Sequence, residues 1–70
     1  MIPAAGSYAM DGRDGRIGRV SGHRGPFVQL RPPGGGAEWN CPPGLLRGVP
    51  RFAALAARLR DLNWQSSRIP

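Results

Sequence analysis

The side chains best suited to binding chemistry lie in the middle of the chain: Arg19, Arg24, Phe27, Gln29 and Arg31. Guanidinium groups contact phosphates and aromatic rings stack on bases, so this combination is typical of nucleic-acid surfaces. Phe27, Gln29 and Arg31 are spaced two apart, which places them on one face of a strand. We therefore predict these five residues as a binding surface for nucleic acid or for another partner. The alternative is that this face packs against the rest of the domain and buries Phe27.

Groups that could carry catalysis are scarce. His23 is the only histidine, and all four serines would depend on it as a general base. The Gly-Gly-Gly run at residues 34–36 lacks the Lys-Ser/Thr and the helix start of a phosphate-binding loop. Cys41, the only cysteine, and His23 offer no pair of ligands at metal-binding spacing. The sequence predicts no enzyme, no cofactor and no metal site.

The charge of the chain indicates an anionic partner. All ten basic residues are arginine and the net charge is +6, which attracts anions and offers planar groups that fit phosphate or carboxylate. A GC-rich genome would produce the same arginine content. Residues 1–36 and 37–70 each carry five arginines and two acidic residues, so an anion-binding face has to be built by the fold. Nucleic acid is the first predicted partner, followed by other anionic macromolecules.

The chain is predicted to be cytoplasmic. A lone cysteine forms no disulfide within the chain, which favours a reducing compartment. No segment approaches the roughly 18 apolar residues that span a bilayer. Residues 1–10 lack the charged start of a secretion signal. We expect no membrane association.

Three short segments bounded by Gly and Pro predict strands, at residues 16–21, 26–31 and 37–41. Val28 and Leu30 alternate with polar neighbours and are predicted to face the core. Ile17 and Val20 are three apart, so we predict a bulge at Gly18 that turns both of them inward.

Glu38 and Trp39 allow two interpretations. Together, the aromatic ring and the carboxylate could bind a cation. Alternatively, Trp39 belongs to the core and Glu38 pairs across the sheet with Arg31. We favour the second, because Trp39 is the largest side chain available to the core, and we expect Cys41 beside it to be a small buried hydrophobe.

The predicted fold is mainly β: a small bent antiparallel sheet or partly open barrel of four or five short strands, with one C-terminal amphipathic helix. The predicted divisions are a flexible lead-in at 1–10, a β-barrel-like domain at 11–49, a helix packed on it at 50–64 and a frayed tail at 65–70. A core of this size rarely supplies more than about 3–5 kcal/mol, so a homo-oligomer would be one way to add stability.

The predicted helix carries an apolar stripe formed by Phe52, Leu55, Ala56, Leu59 and Leu62. These residues fall within about 120° of one another around the helix axis. The stripe supports an alternative function, a protein–protein adaptor that docks through its barrel face or its helix. A basic patch formed by the three central arginines would favour the anionic partner. An exposed apolar face centred on Leu55 and Leu59 would favour the adaptor.

Two resemblances involve these motifs. The pattern Gly-x-x-Gly-x-Val at residues 15–20, preceded by a turn, resembles the entry of small Src-homology-like barrels and of the KOW motif. Most of residues 8–64 is more similar to a group of short, uncharacterised actinobacterial proteins, through residues 15–20, Gly-Pro-Phe-Val-Gln-Leu-Arg-Pro at 25–32 and Gly-Gly-Gly-Ala-Glu-Trp-Asn at 34–40. The second resemblance implies a shared fold and no assigned activity.

Overall fold

The computed structural model describes residues 4–67, and the side chains of residues 4–63. Its strands are β1 (Tyr8–Asp11), β2 (Ile17–Arg24), β3 (Phe27–Arg31), β4 (Trp39–Cys41) and β5 (Leu46–Arg47), followed by helix α1 (Arg51–Ser67). One turn of 3-10 helix, Pro43–Leu45, connects β4 to β5. The strands form one antiparallel sheet in the order β4-β3-β2-β1-β5. This open sheet with its C-terminal helix confirms the predicted fold class.

The core lies on one face of this sheet. Its buried side chains are at most 1% exposed, and they are Ala9, Val20, Val28, Leu30 and Cys41. Trp39 and Leu46, from the two edge strands, pack against them. None of these residues belongs to the helix, so the sheet bends around its own apolar side chains and removes them from water. We call this concave side the inner face and the opposite side the outer face.

The irregularity of β2 lies at Ser21 and not at Gly18, where the bulge was predicted. The register shifts immediately after Val20, which makes Ser21 the extra residue. Gly18 faces the core, where a Cβ atom would come within 2.7 Å of the Trp39 ring. Ile17 therefore points to the outer face and is only partly buried. Gly18 is needed for the close approach of the indole ring rather than for a bulge.

Two element boundaries in the structure differ from the predicted divisions. Residues 8–10 of the predicted lead-in belong to β1, and just before them the Gly6 N–H donates to the Val20 carbonyl at 2.8 Å. The helix continues to Ser67, so residues 65–67 of the predicted tail are helical. The remaining predictions for residues 1–3 and 68–70 lie outside the described residues.

Helix α1 lies across the outer face and approaches it with its smallest side chains. Ala57 is 4% exposed and Asp61 is 8% exposed. The predicted apolar stripe is on the opposite side of the helix, and all of its members are exposed. Because the bent sheet already encloses its own core, the outer face holds the helix through polar partners and alanines instead.

Candidate functional site

The five predicted binding residues all lie on the outer face. In β3, Phe27, Gln29 and Arg31 alternate with buried residues. Arg19 is paired with Arg31 and Arg24 is paired with Phe27, and directly opposite residues project to the same side of a sheet. Arg19 and Arg24 are an odd number of positions apart, so the bulge between them is what brings both to one face.

The three arginines do not form a continuous cationic patch. Arg31 lies 3.9 Å from the carboxylate of Glu38, the residue with which it was predicted to pair. Arg19 is partly buried beside the helix, whereas Arg24 is exposed at the far end of the β2–β3 hairpin. Phe27 is 38% exposed, so this face does not bury it. The fold thus brings Arg19 and Arg31 together and leaves Arg24 apart from them.

A buried carboxylate, which sequence reasoning treated only as part of a turn, holds the bend of the sheet. Asp11 is 1% exposed, and it accepts hydrogen bonds from Trp39 Nε1 at 2.9 Å and from Arg13 Nη2 at 2.7 Å. Arg13 Nη2 also donates to the Asn40 carbonyl at 2.7 Å. Asp11 lies in β1, and Trp39 and Asn40 lie in β4, which is separated from β1 by the two strands β2 and β3. We call these four residues the closing network.

Two arginines that would otherwise be candidates for ligand binding are engaged here: Arg13 belongs to the closing network, and Arg16 lies beside it. The hydrogen bonds from Arg13 hold the pKa of Asp11 well below its usual range, which keeps this pair charged. Arg16 lies over the Trp39 ring, with its guanidinium carbon 4.0 Å from the ring centroid. The cation on the Trp39 ring is therefore the chain's own Arg16. No local pattern could have paired Asp11 with a tryptophan so distant in sequence.

A second buried carboxylate anchors the helix. Asp61 accepts a hydrogen bond from Tyr8 Oη at 2.6 Å and another from the Gly34 N–H at 2.9 Å. The two bonds use different carboxylate oxygens, so α1 is tied both to β1 and to the loop after β3. Burial, together with the hydrogen bond to Asp61, raises the pKa of Tyr8 to about 12.

Alkaline pH is expected to release the helix. The pKa of tyrosine in an unfolded chain is about 10, so the raised pKa of Tyr8, about 12, stabilises the fold fully below pH about 10. That stabilisation is lost as the pH rises from about 10 to 12, because a tyrosinate cannot donate to Asp61 and repels it. Tyr8 is the only tyrosine, so tyrosinate absorbance and far-UV circular dichroism can be followed together.

The Tyr8→Phe variant is the control for this titration. It lacks the ionisable group and should lose no helical signal in the same pH window. An unchanged helical signal in the parent while its tyrosinate forms would show that Tyr8 does not hold the helix.

The apolar stripe of α1 is the most exposed apolar surface among the described residues. Phe52 is 77% exposed, Leu55 58%, Leu59 53% and Leu62 48%. With Ala56, these side chains form one face of the helix, about 15 Å long at 1.5 Å per residue. Exposed arginines lie on both flanks of this face, at positions 51, 58 and 60.

Two open clefts run along the helix, because small side chains leave space where it meets the sheet. The first cleft has a volume of about 540 Å³ and lies between α1 and strands β1 and β2; its lining includes Tyr8, Arg19, Leu55, Arg58, Asp61 and Leu62. The second cleft, about 580 Å³, lies on the other flank; its lining includes Ile17, Pro33, Trp39, Phe52 and Arg60. The predicted residue Arg19 therefore shares a cleft with the helix.

Within the part of the chain that the structure describes, no three His, Cys, Asp or Glu side chains are grouped so that they could hold a metal ion. Helix α1 is not long and apolar enough to cross a membrane. Comparison of the chain with family models, with curated proteins and with solved structures finds no match, so what these surfaces bind has to be inferred from their chemistry.

Proposed function

We propose that the protein is a non-enzymatic adaptor that docks on another protein through the apolar stripe of α1. The observation that carries this proposal is the exposure of Phe52, Leu55, Leu59 and Leu62, each about half exposed or more. Single exposed apolar residues are ordinary, but a contiguous apolar face with a polar rim marks an interaction site.

The helix cannot rotate about its axis to bury this stripe without breaking the two hydrogen bonds of Asp61, which anchor it to the sheet and its loop. Asp61 lies on the opposite side of α1, and both of its oxygens are hydrogen bonded to the sheet and its loop. Rotating the stripe inward would break both of these hydrogen bonds to a charged carboxylate, and each such bond contributes about 1.5–3 kcal/mol. The anchor therefore presents the stripe to a partner in a fixed orientation, which reduces the ordering cost of binding.

The charges around the stripe favour a partner with acidic groups over a second copy of this chain. Arg51, Arg58 and Arg60 are exposed on its flanks, and two copies packed stripe to stripe would bring these cations together at a net charge of +6 per chain. Like charges that face each other across an interface are destabilising. An apolar protein surface with an acidic rim fits both the leucines and the arginines.

A second candidate function is nucleic-acid binding, favoured by the cross-strand pairing of Arg19 with Arg31. Gln29 lies between them and Phe27 on the same face, an arrangement suited to phosphate contact and stacking. The proximity of Glu38 to Arg31 and the distance of Arg24 along the hairpin argue against a continuous phosphate track. The adaptor is therefore the function that the geometry favours.

The adaptor proposal is tested by selecting ligands from a displayed library of random dodecapeptides. We expect the parent to enrich peptides rich in aliphatic or aromatic residues. Replacing both Leu55 and Leu59 with serine should weaken their binding by tenfold or more, about the effect of losing an interface anchor. Isothermal titration calorimetry on the strongest selected peptide gives the dissociation constants.

Leu45→Ser is the matched control, because Leu45 is 36% exposed and lies outside the helix. The Leu55/Leu59 variant should remain folded and lose only about 1 kcal/mol of stability, because both side chains are at least half exposed and serine is only a somewhat weaker helix former than leucine. Equal peptide binding by the parent and the Leu55/Leu59 variant would contradict the adaptor. Binding of a mixed-sequence single-stranded DNA at about 50 mM salt that falls steeply with added salt, with no peptide enriched, would favour the second candidate. Concentration-dependent dimerisation lost in the Leu55/Leu59 variant would make a second copy the occupant.

A further inference from the structure

The first cleft carries positive charge that its own acidic residue does not neutralise. Arg19 projects into it from β2 and Arg58 from α1. Among the side chains of residues 4–63, neither arginine has a carboxylate within salt-bridge distance, whereas Arg13, Arg16 and Arg31 each have one. Two guanidinium groups that line one cleft, one from the sheet and one from the helix, are suited to a planar anion.

Asp61 lines the same cleft, but its hydrogen-bonding capacity is directed elsewhere. One oxygen accepts from Tyr8 Oη and the other from the Gly34 N–H. Tyr8 keeps its proton in this arrangement, so the wall contributes a neutral phenol. Two arginines against one carboxylate leave the cleft with net positive charge for an incoming anion.

The cleft is continuous with the apolar stripe. Leu55 and Leu62 belong to the stripe and also line the cleft beside Arg58. A ligand that covers these leucines is therefore adjacent to the two arginines. Such a ligand must combine aliphatic side chains with a negative group close to them.

We propose that the first cleft binds the carboxylate of a glutamate or aspartate side chain from a partner segment whose apolar residues lie on the stripe. This inference rests on the proposed adaptor function and names the partner: an apolar segment with an acidic side chain in its sequence. Arg19 and Arg58 bind the carboxylate. Leu55 and Leu62 contact the aliphatic groups of the partner segment next to it. A nucleic acid would satisfy the arginines and leave the leucines exposed.

A second copy of this chain is a poor source of that carboxylate. Asp11 and Asp61 are buried. Asp14 is paired with Arg16 at 2.9 Å, and Glu38 accepts a hydrogen bond from Ser21 and lies near Arg31. All four acidic side chains of the protein are thus already engaged, which leaves a different, acidic protein as the occupant.

The test uses the peptides enriched on the parent from the displayed dodecapeptide library, synthesised with blocked ends so that only side chains supply carboxylates. We expect an acidic residue among the apolar positions. Its replacement by the corresponding amide should weaken binding by about tenfold, as expected for loss of a charge-assisted contact. Arg19→Gln and Arg58→Gln should each weaken binding of the acidic peptide similarly and leave binding of the amide peptide unchanged.

Arg24→Gln is the matched control, because Arg24 is exposed and lies away from the cleft. It should change the affinity less than about twofold, and thermal melting should show that all three arginine variants remain folded. Equal affinity for the acidic and the amide peptides, or equal losses with Arg24→Gln and Arg19→Gln, would overturn the cleft proposal. In either case continued dependence on Leu55 and Leu59 would leave the adaptor standing, and loss of that dependence would overturn both.

Discussion

Replacing Asp11 with asparagine is expected to unfold most of the protein at room temperature. Asparagine has the same shape but carries no charge, and its amide group puts a donor where Arg13 and Trp39 donate. Asp11 is buried and Arg13 is half exposed, so the cost lies in the donors and the buried amide left without partners, about 1–3 kcal/mol for each of these unsatisfied groups. The summed cost is comparable with the whole stability that a core of this size supplies. Thermal and urea unfolding followed by circular dichroism would measure it.

Asp14→Asn is the control for Asp11→Asn. Asp14 pairs with Arg16 on the surface, and exposed substitutions change stability by only about 0.5 kcal/mol. If the Asp11→Asn and Asp14→Asn proteins had the same melting temperature, the closing network would not be what holds the bend of the sheet.

Acid should act on the parent through the same carboxylate. The pKa of Asp11 is lowered in the fold, chiefly by its hydrogen bonds with Arg13. Its contribution is therefore fully present above the unfolded pKa of about 4, and it is lost as the pH falls from there through the lower folded value. Unfolding free energies of the parent measured on each side of pH 4 should therefore fall with acidity, and an unchanged value would contradict this role of Asp11.

Truncating Trp39 to alanine is expected to reduce the stability of the fold by a similarly large amount. The indole packs against the core and against Gly18. Its Nε1 donates a hydrogen bond to Asp11, and the guanidinium group of Arg16 stacks over its ring. Removing a large aromatic side chain from a core typically costs about 3–5 kcal/mol. Because β4 is only three residues long, we also expect this edge strand to detach from β3 before the rest of the sheet unfolds.

Trp39→Phe separates the ring from its hydrogen bond. Phenylalanine keeps an aromatic ring in contact with the core and loses the donor to Asp11, so its loss of stability should be smaller, about 1–3 kcal/mol. Hydrogen exchange of the β4 amides would show whether the edge strand detaches first. A Trp39→Ala protein that unfolds cooperatively near the temperature of the parent would mean that the indole contributes little to closure.

The predictable part of this fold is local. Val28 and Leu30 alternate with Phe27, Gln29 and Arg31, and this period of two placed all five on their observed faces. The burial of Cys41 follows from the same alternation in the next strand. The spacing of the leucines after Pro50 similarly marked a helix, because a period close to 3.6 residues distinguishes it from a strand.

The residue pattern of the helix did not show which of its sides faces the sheet. An amphipathic stripe shows that one side of a helix is apolar, but whether the protein itself covers that side depends on what the sheet offers. Here the inner face is filled by its own side chains, and Tyr8 and the Gly34 N–H hold Asp61 from the outer face. The stripe is therefore left in water, and the same geometry creates the cleft that joins Arg19 to Arg58.

The sequence by itself determined the three central strands, the helix and the faces of β3 and β4, because these depend on neighbours a few positions away. It did not determine the outward position of Ile17, which depends on where the bulge of β2 lies. Only the tertiary structure decided the roles of Gly18, Asp11 and Asp61. The glycine admits an indole from β4, and the two carboxylates find donors 28 and 53 residues away in the chain. Contacts at such separations depend on how the sheet bends and where the helix crosses it, and no local spacing of residue types records either.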